Sequence, residues 1–371
     1  MRTTDVRVRR AITAIAAGRP VVVTDDTARG GQGYVMLAAE AATPGLLAFT
    51  VRHTSGYVRV ALTGAECDRL NLPPMCHRAG DGLAVGDRVA VDWCGVGTGI
   101  SATDRAKTIA ALATATSKAS DFRRPGHVIP VRAGDDGVLG YPGPAEAAVD
   151  LARLAGTRPA ATLCEIVSRE RPDAMARGPE LVEFAKEHRL SLVSIDDLVA
   201  YRRRTEPQAV RSAETTIPTD MGASRVIGFR DVHPASSGGE HLVMIIGTAG
   251  ADLPMLLHVH VECVTGDVFG STACRCGAEL KRAQTTMRAR GSGMIVYLRP
   301  SGPVRACGLS DHDIPAAKPV SQTVAWILRD LGVHTVRLAD DAPGFGLVMF
   351  GAIREHGLSV AGGASALAVA G

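Results

Sequence analysis

Three cysteines in the second half of the chain have the spacing of a metal site. Ten residues separate Cys263 from Cys274, and one residue separates Cys274 from Cys276. Proteins hold zinc with thiolate and imidazole ligands, usually four, and a site with three protein ligands keeps one position for water. The pKa of that water falls towards neutrality, which suits hydrolysis. The spacing leaves three interpretations open: a catalytic site, a structural site closed by His258 or His260, and three inert buried thiols.

The composition is that of an ordinary globular protein, with 46% hydrophobic and 21% charged residues. A net charge of +3 without clustered Lys and Arg argues against a nucleic-acid partner. The sequence has no apolar stretch of about 18 residues and no signal-peptide pattern, so we expect a cytoplasmic protein that does not bind membranes. In such a chain the eight cysteines are expected to be thiols or metal ligands instead of disulfides.

Helical and strand periodicities alternate along both halves and predict an α/β fold with two domains. The predicted helices are 6–17, 146–154, 181–186, 279–290 and 321–331. The predicted strands are 20–24, 192–195, 243–246, 255–261 and 294–298. A polar stretch containing Pro207 interrupts the pattern. We therefore predict domains at 1–204 and 213–371, joined by a linker at 205–212.

The run from Glu262 to Ser271, followed by Cys274-x-Cys276-Gly277, resembles the zinc segment of GTP cyclohydrolase II. In that family three cysteines hold zinc, and the guanine ring of GTP is opened with release of formate and pyrophosphate. The resemblance implies Zn²⁺ as cofactor, with Cys263, Cys274 and Cys276 as its ligands.

A second run, from Tyr297 to Arg305, resembles the family's loop that contacts the base and phosphates, with one inserted residue. The resemblance implies catalytic roles for Tyr297 and Arg305. It implies substrate binding by Arg299, and by Glu262 beside the first cysteine.

The first half resembles 3,4-dihydroxy-2-butanone 4-phosphate synthase, which removes formate from ribulose 5-phosphate with a divalent cation. The matching runs are 22–26, 53–56, 97–105, 124–127 and 163–165. The resemblance implies catalytic roles for His127 and Glu165 and substrate binding by Asp104 and Arg105. The two resemblances follow the order of the fused riboflavin-pathway proteins and imply an α/β (α+β) fold, a shortened second domain and a homodimer.

Several positions in the first half depart from the family pattern. Residues that the family uses for metal and sugar phosphate are replaced by Gly30, Gln32, Tyr34, Tyr141, Pro144 and Ala145. Magnesium prefers hard oxygen ligands, which the side chains of Gly30 and Pro144 lack. The sequence therefore predicts that the Mg²⁺ site of the first domain is lost.

The second half also departs from its family. His258 stands in place of an arginine that grips GTP, and the run 316–320 replaces the one that carries the acid/base aspartate. Asp340 and Asp341 stand where the family places uncharged residues near phosphate, and like charges would repel a triphosphate. From these departures we expect no GTP hydrolysis.

These expectations support three functional hypotheses. The first is a diverged zinc-dependent hydrolase for a purine-derived or other heterocyclic substrate, in flavin-related or specialised metabolism. The second is a non-catalytic pseudoenzyme whose partner is an active paralogue. The third is a weak GTP cyclohydrolase II and butanone phosphate synthase in riboflavin biosynthesis, acting on small molecules.

Overall fold

The computed structural model describes residues 3–25, 31–75, 86–219, 222–233, 239–247, 254–299, 303–308, 317–338 and 346–361. The chain divides into two compact units, Met1–Arg202 and Arg203–Gly371. Each unit contains a mixed β-sheet and helices, which confirms the predicted α/β architecture with two domains. Within the described stretches, no helix is long and apolar enough to cross a membrane.

Seven α-helices, three short 3-10 helices (Ala39–Ala41, Ala119–Asp121 and Gly137–Leu139) and seven strands are described for the first unit, the last α-helix ending just beyond its boundary. The helices are α1 (Thr3–Ala16), α2 (Pro44–His53), α3 (Gly64–Arg69), α4 (Ala102–Leu112), α5 (Pro144–Leu154), α6 (Pro179–Glu187) and α7 (Ile195–Thr205). The strands are β1 (Val21–Asp25), β2 (Gln32–Ala38), β3 (Arg59–Leu62), β4 (Val91–Trp93), β5 (Phe122–Arg132), β6 (Ala160–Glu165) and β7 (Ser191–Ser194). Their order in the sheet is β4-β5-β3-β6-β2-β1-β7.

Strand β1 shows why this sheet is covered on both faces. All five of its residues are buried. Because strand side chains alternate between faces, Val21 and Val23 pack into one apolar cluster while Val22 packs into another, together with Leu181 and Phe184 of α6. A short continuous apolar run is typical of such a doubly covered strand.

The second unit is built around one further sheet. Its helices are α8 (Val264–Asp267), α9 (Cys276–Arg290), α10 (Ala317–Asp330) and α11 (Gly346–Glu355). Its strands are β8 (Ala209–Thr219), β9 (Gly222–Asp231), β10 (Glu240–Gly247), β11 (Met255–Val261), β12 (Ser292–Leu298), β13 (Thr335–Leu338) and β14 (Ser359–Val360). The sheet order is β14-β13-β11-β12-β10-β9-β8, with β11 to β14 parallel and β8 to β10 antiparallel.

The junction between the units differs in detail from the predicted linker at 205–212. Helix α7 continues to Thr205 and β8 begins at Ala209, so only residues 206–208 lie between them. Nearly every residue of β8 is at least partly exposed.

Candidate functional site

Four cysteines come together beside the end of β11. Cys263 follows β11 and precedes α8, Cys276 begins α9, and Cys307 comes from the segment 303–308. The four sulfur atoms, including that of Cys274, lie within 4.8 Å of one another. Within the described ranges, no other group of three or more side chains is placed to hold a metal. The structure therefore brings the three predicted ligands together and adds Cys307, which the sequence analysis missed.

Two glycines allow α8 and α9 to approach closely enough to form this cluster. A Cβ atom on Gly277 would lie 2.2 Å from the carbonyl oxygen of Gly266. A Cβ atom on Gly266 would lie 3.0 Å from the sulfur of Cys274. A side chain at Gly277 would push the two helices apart, because the clash is with backbone.

The thiols differ in acidity. Burial alone would raise the pKa of Cys263, but contact with the Thr265 hydroxyl and hydrogen bonds with nearby backbone outweigh it and lower the pKa to about 6. Burial raises the pKa of Cys276, and the neighbouring thiols of Cys274 and Cys263 raise it further. Since adjacent thiolates repel one another, a cluster of this kind is stabilised by a bound cation, and soft sulfur ligands suit zinc.

A buried carboxylate organises the side chains next to the cysteines. The Oδ1 atom of Asp267 lies 2.9 Å from His260 Nε2, and its Oδ2 accepts hydrogen bonds from the Tyr297 hydroxyl at 2.8 Å and from the Cys263 backbone N–H at 2.9 Å. His260 and Tyr297 are paired residues on the parallel strands β11 and β12, and their rings stack. Burial, and then the hydrogen bond to Asp267, raise the pKa of Tyr297.

Neither histidine of the predicted alternative belongs to the cysteine cluster. The Nε2 atom of His260 lies within hydrogen-bonding distance of the Asp267 carboxylate. The Nε2 atom of His258 is buried without a hydrogen-bond partner. Burial, reinforced by the charge of His260, lowers the pKa of His258 to about 4.

Two other predicted residues of the second unit, Glu262 and Arg299, directly follow the carboxyl ends of β11 and β12. Arg299 Nε donates a hydrogen bond to Glu262 Oε1 at 2.8 Å. The Arg299 side chain is half exposed, so the guanidinium borders solvent. The backbone carbonyl of Arg305 accepts a hydrogen bond from Val264 N at 2.8 Å.

In the first unit, His127 is held by Asp92, a residue that the sequence analysis missed. The imidazole Nδ1 lies 2.8 Å from Asp92 Oδ2, and the His127 backbone N–H donates to Asp92 Oδ1 at 3.0 Å. The pairing of β4 with β5 shifts register between Val91 and Asp92. A Cβ on Gly126 would lie 2.0 Å from the Val91 carbonyl carbon, and one on Gly99 would lie 2.1 Å from Asp92 Oδ2.

The remaining predicted residues of this unit have defined partners. Glu165 forms an ion pair with Arg59, and both side chains are largely buried. Arg105 donates a hydrogen bond to the carbonyl of Gly56 at 3.2 Å. Asp104 Oδ2 accepts a hydrogen bond from the backbone N–H of Gly99 at 3.2 Å.

The predicted loss of magnesium falls partly outside the described residues, because Gly30 is not among them. Pro144 is the first residue of α5, where a missing N–H costs no helical hydrogen bond. Tyr34 donates a hydrogen bond to Gln32 Oε1 at 3.3 Å. The described side chains here do not form a hard-ligand cluster, and the loss of the Mg²⁺ site stays a prediction.

Comparison with known families accounts for both halves. Residues 9–201 match the family model of 3,4-dihydroxy-2-butanone 4-phosphate synthase, and residues 210–362 match that of GTP cyclohydrolase II. The chain belongs to the family in which these two domains are fused. The resemblance inferred from the motifs is thereby confirmed.

Curated relatives extend the match along the chain. A riboflavin biosynthesis protein RibBA of Nocardia farcinica is 45% identical over 91% of this chain and 85% of its own length. The protein of that name from Mycobacterium ulcerans is 48% identical over 91% of this chain and 84% of its own.

Two solved structures are also similar. RibBX of A. baumannii, described as a two-domain 3,4-dihydroxy-2-butanone 4-phosphate synthase, is 29% identical with a TM-score of 0.70, covering 93% of this chain and 96% of that one. A 3,4-dihydroxy-2-butanone 4-phosphate synthase in complex with two magnesium ions is 39% identical with a TM-score of 0.51. It covers 54% of this chain and 97% of that one.

The hypothesis of a diverged hydrolase for another heterocycle, with its pseudoenzyme alternative, is wrong. Relatives 44–48% identical over at least nine tenths of the chain are named as riboflavin biosynthesis proteins. The error has a physical origin. Replacements at single positions such as Pro144 and His258 weaken particular contacts, but they do not indicate a change of substrate, which depends on the whole site.

Proposed function

We propose that this chain is a cytoplasmic enzyme of riboflavin biosynthesis that carries out both reactions of its fused family. The second domain would act on GTP and the first on ribulose 5-phosphate. The observation that carries the proposal is the convergence of Cys263, Cys274 and Cys276 on one point beside a buried carboxylate. The names and chain-long similarity of the relatives support it.

The cysteine cluster fits zinc. Thiolates are soft ligands, and zinc–thiolate sites use bonds of about 2.3 Å. Bound there, zinc would supply a Lewis acid for hydrolysis. Cys263, Cys274 and Cys276 would hold it, with Cys263 the most readily deprotonated of the thiols whose pKa is shifted.

The neighbouring residues have supporting tasks. Asp267 fixes the orientations of His260 and Tyr297 through short hydrogen bonds. The Tyr297 hydroxyl donates its one proton to Asp267, which leaves its oxygen able to accept a hydrogen bond from substrate. Arg299, aligned by Glu262, presents a cation at the solvent border, where an anionic substrate would enter.

In the first domain His127 is the proposed acid/base group. Its ring is 40% exposed, while the Asp92 carboxylate that orients it is 6% exposed. An oriented imidazole open to substrate can transfer protons, as an enediol rearrangement requires.

The departures from the family motifs predict slow reactions. His258 is neutral at physiological pH because its pKa is lowered to about 4, so it cannot replace an arginine in holding a phosphate. Losing one charged contact to a phosphate group costs about 2–3 kcal/mol, or a factor of about 30–200 in rate. We therefore expect weak turnover in the second domain.

Formate release tests the proposal, since both reactions produce it. Purified protein loaded with zinc and supplied with magnesium is incubated separately with GTP and with ribulose 5-phosphate. We expect formate from both, with Cys274→Ser abolishing only the GTP reaction and His127→Ala only the sugar phosphate reaction. Each variant serves as the folded control for the other. If neither substrate gives formate above the rate of the doubly substituted protein, the proposal is wrong.

A further inference from the structure

The cysteine cluster contains one sulfur more than the sequence motif supplies. Cys307 lies 31 positions beyond Cys276, outside the spacing pattern, yet its sulfur is 3.9 Å from that of Cys276. The sulfurs of Cys263 and Cys274 are 3.8 Å apart. We propose that Cys307 is a fourth thiolate ligand, so that the zinc of the second domain is held by four cysteines when no substrate is bound.

The distances match a four-sulfur tetrahedron. With zinc–sulfur bonds of about 2.3 Å, neighbouring sulfurs in a tetrahedral site lie about 3.8 Å apart. The two sulfur pairs at 3.8 and 3.9 Å have no sulfur in common, so they are opposite edges of such a tetrahedron. No sulfur of the four is more than 4.8 Å from any other, so small side-chain movements would close the remaining edges.

The position of Cys307 is set by backbone contacts that do not involve its thiol. Val264 N donates a hydrogen bond to the Arg305 carbonyl at 2.8 Å. The Thr265 hydroxyl donates to the Cys307 carbonyl at 3.1 Å. Both donors immediately follow Cys263, so the segment carrying Cys307 lies against the loop that carries the first ligand.

No other described side chain competes for the fourth position. His260 is hydrogen-bonded to Asp267, and His258 is absent from the ligand cluster. Cys307 is exposed, whereas Cys263 is buried and Cys274 and Cys276 are partly buried. The fourth thiolate therefore closes the solvent side of the site, where water would otherwise bind.

This inference rests on the proposed zinc and adds a condition to the reaction. Four thiolates would leave no position for water, so the Cys307 thiolate would have to be released in exchange for water before hydrolysis. Cys307 would then restrict access to the metal.

X-ray absorption of the zinc-loaded protein tests the ligand count directly. We expect four sulfur neighbours at about 2.3 Å in the native chain. We expect three sulfurs and one oxygen or nitrogen in Cys307→Ala, together with zinc binding weaker by at least about 10–100-fold, the loss that removing even an outer-shell partner of a metal ligand causes. Cys94→Ala, which removes an exposed thiol from the first domain, should match the native chain.

Two results would overturn the inference. One is a native site with three sulfurs and one lighter atom that does not change in Cys307→Ala. The other is a disulfide between Cys276 and Cys307 in the zinc-loaded protein as purified, detected by mass spectrometry without added reductant. Formate release from GTP is measured alongside. If no protein released formate from GTP, the proposed function would be wrong. The number of sulfur ligands, and therefore the role of Cys307 as a ligand, would be unaffected by that result.

Discussion

Asp92 holds His127 at two points, one on the imidazole ring and one on the backbone N–H. The double contact fixes both the strand position and the ring orientation of the histidine. Because an amide keeps a similar shape but loses the charge, Asp92→Asn should leave the fold intact and lower the rate with ribulose 5-phosphate about 10–100-fold. Steady-state formate assays with each substrate check this, and the GTP reaction should be unaffected.

The matched control for that variant is Asp68→Asn. Asp68 is an exposed carboxylate paired with Arg132 at 3.2 Å. Exposed ion pairs contribute about 0–1 kcal/mol, so we expect native rates from this variant. Equal losses of the rate with ribulose 5-phosphate in the two variants would show that Asp92 has no special role in positioning His127.

Gly126 permits the close approach of β4 and β5 that places His127. A methyl group there would lie 2.0 Å from Val91 backbone. Gly126→Ala should lower the free energy of unfolding of the first domain by about 1–3 kcal/mol and also slow its reaction. Gly45→Ala is the control, since nothing lies within 4 Å of its added methyl group. Denaturant unfolding that gave similar midpoints for both variants would contradict the account.

The lowered pKa of His258 predicts an acid-sensitive second domain. The folded imidazole stays neutral down to a pH of about 4, while the unfolded one binds a proton below about 6.5. Unfolding therefore takes up a proton in this window, and stability falls as the pH drops from 6.5 to 4. The difference corresponds to about 3 kcal/mol, and no change is expected from this group above pH 6.5.

Unfolding of the second domain at pH 7.5 and 4.5 measures this effect. His258→Gln should lose less stability between the two conditions than the native chain. His334→Gln removes an exposed histidine and should behave as the native chain does. Loss of the proposed zinc at low pH would be common to all three proteins and would cancel in the comparison. A native-like loss in His258→Gln would refute the assignment.

Removal of the proposed zinc should destabilise the second domain only. The cysteines join segments that are distant in sequence, and a ligand that binds only the folded state adds its binding free energy to stability. Calorimetry after chelation should show a lower Tm for the unfolding transition of the second domain and an unchanged Tm for that of the first. The Tm of the second domain should recover when zinc is added back. A shift of both transitions, or of neither, would contradict this expectation.

The sequence predicted the parts of the structure that have a strong local pattern. The strand at Met255–Val261 has the predicted bounds, because a run of apolar residues ends at Pro254 on one side and at the cysteine segment on the other. Strand β8 was missed because its residues are polar and largely exposed, so it has no apolar periodicity. Its partner β9 is its only neighbour in the described sheet.

The residues of the candidate site also divide into those with a local sequence pattern and those without one. Cys263, Cys274 and Cys276 form a motif that spacing can identify. Cys307 lies beside them only because of the tertiary structure, and no local sequence pattern identifies it as a ligand. Asp92 and Asp267 were missed for a similar reason, because an isolated aspartate gains its role from the histidine that the fold places beside it.

Gly266 and Gly277 show that the precision of this chemistry depends partly on residues with no side chain. Neither can ligate a metal or transfer a proton, yet each leaves room that the cysteines require. In an alanine scan, substitution at these two positions adds a methyl group instead of removing side-chain atoms. The scan would record the effect as an ordinary loss of stability. In a library that aims to change the substrate, these two glycines should be kept constant together with the cysteines.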